Sequence, residues 1–225
     1  MLKSIILKEW LKTRRVFLVL LAVMTGAAIY TVMKINAAVE SHGIVQLWLG
    51  MLYKDISFTE FLNWLPVACG IAIGVAQYVP EMSHYRLKLT LHLPIGQNRL
   101  VGMMLAMGVA ELALIFMIQL AIVAVYYGQL IHPFMLEGVV MTLVPRYMAG
   151  VAAYLLSAAI ILEGRWSRRL LLAIISVVVI MIFSQNLGVI CAYGLGMTIC
   201  LVLFLLMAAC LVFGSVIRFK EGLRD

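Results

Sequence analysis

The sequence predicts an all-α protein that lives in a membrane. The expected form is one bundle of six transmembrane helices, with an amphipathic helix before the first span and a short cytoplasmic helix between the second and third. Three observations carry this. The chain is 65% hydrophobic and only 12% charged, a surface that lipid solvates and water does not. Its apolar residues gather in six runs, most of them at or above the roughly 20 helical residues that cross a hydrocarbon core about 30 Å thick. Its basic residues collect in alternate connectors, as in membrane proteins whose positive loops stay in the cytoplasm. Residues 1–225 leave room for a single membrane domain and for no soluble one.

Residues 1–14 come first. Leu2, Ile5, Ile6, Trp10 and Leu11 follow helical spacing, while Lys3, Lys8, Glu9 and Lys12 fall largely on other faces. Such a helix is expected to lie in the membrane surface, with Trp10 at headgroup level, the lysines toward anionic lipid, and a kink at Arg14–Arg15; the alternative is that it merely continues the first span. The spans follow near residues 16–35, 60–79, 100–127, 139–162, 169–186 and 189–214. The first is full-length and lacks an Ala-x-Ala ending, so it is expected to be retained rather than cleaved as a signal peptide. In the outer connector, Ile44, Val45, Leu47, Trp48 and Leu49 suggest a short surface helix. Asp55, Thr59 and Glu60 read as start signals for the second span, and Pro66 as a kink one turn further in. The third run is long enough to tilt or protrude. The fifth ends at Ser184, Gln185, Asn186 and Gly188, a tight turn into the sixth.

With the N-terminus inside, fourteen of the seventeen basic residues face the cytoplasm, leaving Lys34, Lys54 and Arg146 on the other side. Both termini are therefore expected to be cytoplasmic. The net charge of +7 reflects these basic connectors rather than binding to nucleic acid. Cys69, Cys191, Cys200 and Cys210 lie in apolar runs without metal-type spacing and read as small packing residues.

Residues 80–99 join the second and third spans. Pro80 is expected to end the second span, Glu81 to open a short helix whose N-terminal dipole suits a negative charge, and Pro94 to stop it. Tyr85, Leu87, Leu89, Leu91 and Leu93 provide more apolar side chains than a free cytoplasmic loop requires. A basic connector hugging the membrane would share part of this pattern. A short leucine-rich helix beginning with Glu, then Leu93-Pro94-Ile95 and a basic residue before a long span, resembles the type-2 ATP-binding-cassette (ABC) exporter permeases. The resemblance covers the whole chain at the level of plan, with residues 1–14 as the elbow helix and 80–99 as the coupling loop. At residue level Glu81 and Leu93-Pro94-Ile95 match. Tyr85-Arg86-Leu87-Lys88 stands where the family often has Gly-Thr, and the short turn between spans five and six lacks the re-entrant helices of many members.

The resemblance implies a transport subunit without a cofactor of its own. A second copy, or a related permease chain, would complete a central path. A separate cytoplasmic ABC ATPase would hold ATP and Mg, and the whole would sit in a bacterial inner membrane. In the family the coupling helix docks into a groove of the ATPase. Carried over, this puts Glu81, Tyr85, Arg86, Leu89 and Leu93 at the contact, with Pro94 fixing the exit angle.

Polar residues inside the spans are the remaining candidates. Glu111 lies about 12 residues past Arg99, roughly 18 Å up the third helix and near the midplane. A carboxylate there must face protein or water, or hold a proton. Arg146 lies some 6 Å nearer the outer face on the fourth span by the same rise. The third and fourth spans should be antiparallel neighbours, so Glu111–Arg146 is expected to be a buried pair. Contact with substrate or a proton is the functional alternative for Glu111, and outward snorkelling the alternative for Arg146. Gln77, Gln119 and Asn63 are expected to hydrogen-bond between helices, and Gly70-x-x-x-Gly74 to permit close helix contact. The fifteen methionines suit either an apolar path or lipid-facing positions.

No Gly-x4-Gly-Lys-Ser/Thr loop is present, so this chain is not expected to hydrolyse ATP itself. Gly-x-Ser-x-Gly and His-Glu-x-x-His are also missing, and His42, His84, His92 and His132 share no metal spacing with a carboxylate. Catalysis is therefore not expected. The competing readings are a membrane subunit that binds an apolar ligand or assembles a complex without powered transport, and a six-span enzyme acting on lipid.

Overall fold

The computed structural model describes residues 2–53, 63–83, 96–130, 133–183 and 195–220. Among these it contains six α-helices, each long and apolar enough to cross a membrane. They are α1 (Leu2–Tyr53), α2 (Leu65–Met82), α3 (Gln97–Leu130), α4 (Pro133–Leu162), α5 (Trp166–Phe183) and α6 (Leu195–Lys220). Their outward faces are apolar. On α5, Leu170, Leu171, Ile174, Val177, Val178 and Met181 are exposed, while Leu172, Ser176 and Phe183 are buried. Only lipid solvates such faces, so the chain is an integral membrane protein.

The first helix differs most from expectation. Residues 2–14 do not form a separate surface helix. They are the opening turns of α1, which keeps helical dihedrals through Arg14 and Arg15. The buried residues Glu9, Thr13, Phe17, Met24, Ala28, Thr31 and Ile35 recur at intervals of three, four or seven and form one continuous stripe. A helix in line with a span cannot also lie across it. The backbone breaks instead at Gly43 (φ 76°, ψ 158°), a conformation open to glycine because it has no Cβ. The expected short helix over 44–49 is the part of α1 beyond this break. From Leu2 to the break, α1 runs about 60 Å, roughly twice the hydrocarbon thickness, so it extends beyond the lipid core.

Two prolines sit differently from the sequence reading. Pro66 does not kink α2; it occupies the first turn, where its missing N–H costs nothing. Pro80 does not end α2 either. The helix runs on through Glu81 to Met82, and Ser83 caps it by donating its N–H to the Val79 carbonyl. The proposed start signals Asp55, Thr59 and Glu60, and the turn at 184–188, lie outside the described residues.

α4 is the central post, packing against α2, α3, α5 and α6, while α1 packs on α2 and α3. Small residues make this possible. Ala149, Ala152, Ala153, Ala158 and Ala159 are all buried on α4. The glycine spacing on α2 is the packing face that was expected: a Cβ on Gly70 would collide with the Gly150 carbonyl, and one on Gly74 with the Ser157 hydroxyl. Conversely, a Cβ on Gly150 would stand 2.6 Å from the Pro66 carbonyl oxygen and 2.8 Å from Phe116 Cζ. These contacts, with Tyr78 against Tyr154, make α2 and α4 parallel. Gly108 faces Tyr154 and Phe116 stacks on Tyr147, so α3 and α4 are antiparallel, as expected of spans joined by a short loop. Hydroxyls inside the spans satisfy themselves on the preceding turn, Thr31 on Ala27 at 2.9 Å and Ser176 on Ala173 at 2.7 Å.

Candidate functional site

The most polar place in the bundle is where α1, α2, α3 and α4 meet. Glu9 and Glu81 are each 1% exposed and Glu111 is 3% exposed. Burial of three carboxylates needs compensation, and α1 supplies most of it. Lys12 Nζ lies 2.7 Å from Glu9 Oε1 and 2.8 Å from Glu81 Oε1, and Lys8 Nζ lies 2.9 Å from the same Glu81 oxygen. Lys8, Glu9 and Lys12 sit within one turn, so a single stretch of α1 brings both cations to the end of α2.

Gln77 extends the network one turn deeper. Its amide nitrogen donates to the Met104 carbonyl at 2.8 Å and to Glu9 Oε2 at 3.1 Å, using both hydrogens. Its amide oxygen accepts from the Tyr154 hydroxyl at 2.7 Å, and Tyr78 lies 3.3 Å from that hydroxyl. Tyr78 therefore donates to Tyr154, and Tyr154 to Gln77. Gly108 on α3 leaves the room this phenol occupies; a Cβ there would overlap the ring. Tyr154→Phe is expected to leave the Gln77 oxygen without its donor and to cost about 1–2 kcal/mol, read as a lower midpoint of thermal unfolding in detergent. An unchanged midpoint would show that the ring alone matters.

Thr13 connects α1 to α3. Its hydroxyl is bonded both to Glu111 Oε1 and to the Glu9 carbonyl oxygen, the latter at 3.1 Å. Glu111 Oε2 has no hydrogen-bond partner among the described residues. The expected Glu111–Arg146 pair is therefore not built. Gly108 and Phe116 mark the face that α3 turns to α4, and Glu111 sits about 100° around the helix from that face, toward α1. Arg146 is 9% exposed and lies beside Tyr147, further out on α4.

A second polar cluster holds the other half of the bundle. Glu163 Oε2 takes hydrogen bonds from Arg218 at 2.9 Å and from the Ser215 hydroxyl at 3.1 Å. Arg169 donates to the Glu163 carbonyl at 2.9 Å and to the Ile161 carbonyl at 3.3 Å, capping the end of α4. Together these tie α4, α5 and α6 at one end.

No family model, curated protein or solved structure matches this chain. The site must speak for itself. Among the named candidates, Tyr85, Arg86, Leu89, Leu93 and Pro94 lie outside the described residues. Glu81 is described, and it is buried, its carboxylate held by two lysines of α1. Among the expected interhelical amides, Gln77 bonds between helices as expected. Gln119 is fully buried with neither amide atom partnered among the described residues, and Asn63 is buried. Glu9, Lys12, Thr13, Tyr154 and Glu163 were missed. Three of them had a signal. In a helix carried straight on from 2 to 35, Glu9 and Thr13 fall on the buried stripe with Phe17, and Lys12 lies three residues from Glu9. Glu163, at the end of a span, had only its position.

Proposed function

We propose that this chain is the permease subunit of an ABC transporter of the exporter type, moving substrate through a path completed by a second permease chain and driven by a separate ATPase. The observation that carries the reading is the connector between the second and third spans, Pro80 to Arg99, with its row of leucines and Leu93-Pro94-Ile95. The way its two ends are held supports it. At one end Glu81 is clamped by Lys8 and Lys12, and one turn deeper Gln77 bridges α2 to the Met104 carbonyl of α3. At the other, the Gly96 carbonyl accepts from the Arg99 and Leu100 amides and starts α3. A push on the connector would therefore move α1, α2 and α3 together rather than flex one helix. In this reading Lys8 and Lys12 transmit force from the connector, and Glu81 is a positioning residue behind the docking surface. In this reading both termini and the connector lie in the cytoplasm, which the distribution of basic residues supports.

Purified from its native membrane, the chain is expected to bring down an ATPase. Leu89→Asp should abolish that while leaving the thermal midpoint of the permease within a few degrees of the parent. Capture of an ATPase undiminished by Leu89→Asp would reject this docking surface. Turnover of a lipid by the purified chain alone would favour an enzyme. Labelling of Arg86 or Lys88 from outside intact cells would invert the topology.

A further inference from the structure

We propose that Glu111 is a proton-binding site: it holds a proton on Oε1 and donates it to Thr13 Oγ1, so the α1–α3 contact contains a bound proton as one of its parts. The inference does not depend on the transport reading. It rests first on a count of hydrogens. Thr13 Oγ1 is bonded to the Glu9 carbonyl oxygen and to Glu111 Oε1. A hydroxyl has one hydrogen, and a carbonyl oxygen only accepts. If Thr13 gives its hydrogen to the Glu9 carbonyl, as threonines inside helices do, the hydrogen toward Glu111 must come from Glu111.

The second observation is the other oxygen. Glu111 is 3% exposed, and its Oε2 has no partner among the described residues. A carboxylate shares its charge over both oxygens, and leaving one of them buried and bare is far more costly than leaving a neutral carbonyl oxygen bare. Among the described residues no cation offsets this. On α1 the neighbouring ionisable groups are Glu9 and Lys12, and the Lys12 ammonium is already held by Glu9 at 2.7 Å and Glu81 at 2.8 Å. On α2 the groups are Glu81, paired to Lys8 and Lys12, and neutral Gln77. On α4 the ionisable group is Tyr154, whose hydroxyl donates to Gln77. Among the described residues no three His, Cys, Asp or Glu side chains are gathered to hold a metal ion, so the ligand that fits is a proton.

The arrangement has a consequence for motion. With the proton gone, Glu111 becomes an anion beside Glu9, with the Thr13 hydroxyl as its one hydrogen-bond partner among the described residues. Water must then enter between α1 and α3, or the two helices must part. The same contact thus exists in a dry, protonated form and an opened, ionised one.

Infrared spectroscopy of the full-length protein in lipid nanodiscs at neutral pH tests this directly. A carboxylic-acid carbonyl band, shifted on exchange into D2O, is expected in the parent. It should vanish in Glu111→Gln and persist in Glu81→Gln. Gln presents a neutral amide that also donates to Thr13, so Glu111→Gln should keep the parent thermal midpoint. If that variant does not fold, Thr13→Val serves instead: removing the hydroxyl should move the band in frequency without abolishing it. No carboxylic-acid band in the parent, a band that survives Glu111→Gln, or one that Thr13→Val leaves unmoved would overturn the assignment.

Discussion

Lys12→Met is expected to be among the most damaging single substitutions in the chain. It removes the cation shared by Glu9 and Glu81, both of which are buried. Breaking a buried ion pair from one side costs about 3–5 kcal/mol, because the stranded charge keeps its desolvation penalty. The Lys12 side chain is 18% exposed and Glu81 keeps Lys8, so the lower end applies, roughly 3 kcal/mol. Lys8→Met is the control. Lys8 is 45% exposed and its partner retains Lys12, so the loss should stay below about 1 kcal/mol. Thermal unfolding in detergent, followed by size-exclusion chromatography, measures both. Adding Glu9→Gln and Glu81→Gln to Lys12→Met should recover most of the loss, since neutral side chains need no counter-charge. Equal effects at positions 8 and 12 would show that the clamp is a surface feature and not a buried one.

Gly70→Ala and Gly150→Ala should do comparable harm for a steric reason. A Cβ on Gly70 meets the Gly150 carbonyl, with Gly150 C and Tyr154 N each 3.0 Å away. A Cβ on Gly150 meets the Pro66 carbonyl at 2.6 Å. Backbone atoms cannot rotate aside, so α2 and α4 must separate along their whole contact. Overpacking costs typically about 1–3 kcal/mol, and here the strain is not confined to one side chain, so about 3 kcal/mol or more is expected for each. Gly74→Ala should be milder, because its Cβ meets the Ser157 hydroxyl, which turns away at the loss of its 2.8 Å bond to the Tyr154 carbonyl. Gly26 has nothing within 4 Å of a built Cβ, so Gly26→Ala should be neutral or stabilising by up to about 1 kcal/mol. The order Gly70 and Gly150, then Gly74, then Gly26, read as unfolding midpoints, is the test. A large effect at Gly26 or none at Gly70 would contradict the packing described above.

The two sets of variants probe different things the sequence carries. The glycine spacing was readable in advance because Gly70 and Gly74 lie four apart on one helix, and close approach of a partner is what such spacing permits. The spans were readable because crossing lipid demands a run of apolar residues, whatever the helices do to one another. The polar site was read poorly. Glu111 was expected within the third span, and α3 carries it there, because the apolar run fixes where that helix lies in the sequence. Its partner was misassigned, because depth says nothing about which way a side chain faces around the helix. Glu81 was assigned to a docking surface because Pro80 was taken as a helix end, whereas α2 tolerates that proline in its last turns and carries Glu81 inward.

Composition and periodicity alone thus settled that this is a six-helix membrane bundle whose second span carries a close-packing face, since both follow from local rules: hydrophobic length and the absence of side chains at fixed spacing; that α4 fills that face is a tertiary choice. That α1 runs unbroken past Arg15, that Lys12 closes a buried triangle with Glu9 and Glu81, and that Glu111 turns to Thr13 were decided only in three dimensions. The Lys12–Glu81 and Thr13–Glu111 contacts join residues 69 and 98 positions apart. They depend on how each helix is rotated against its neighbours, a choice made by packing the bundle as a whole.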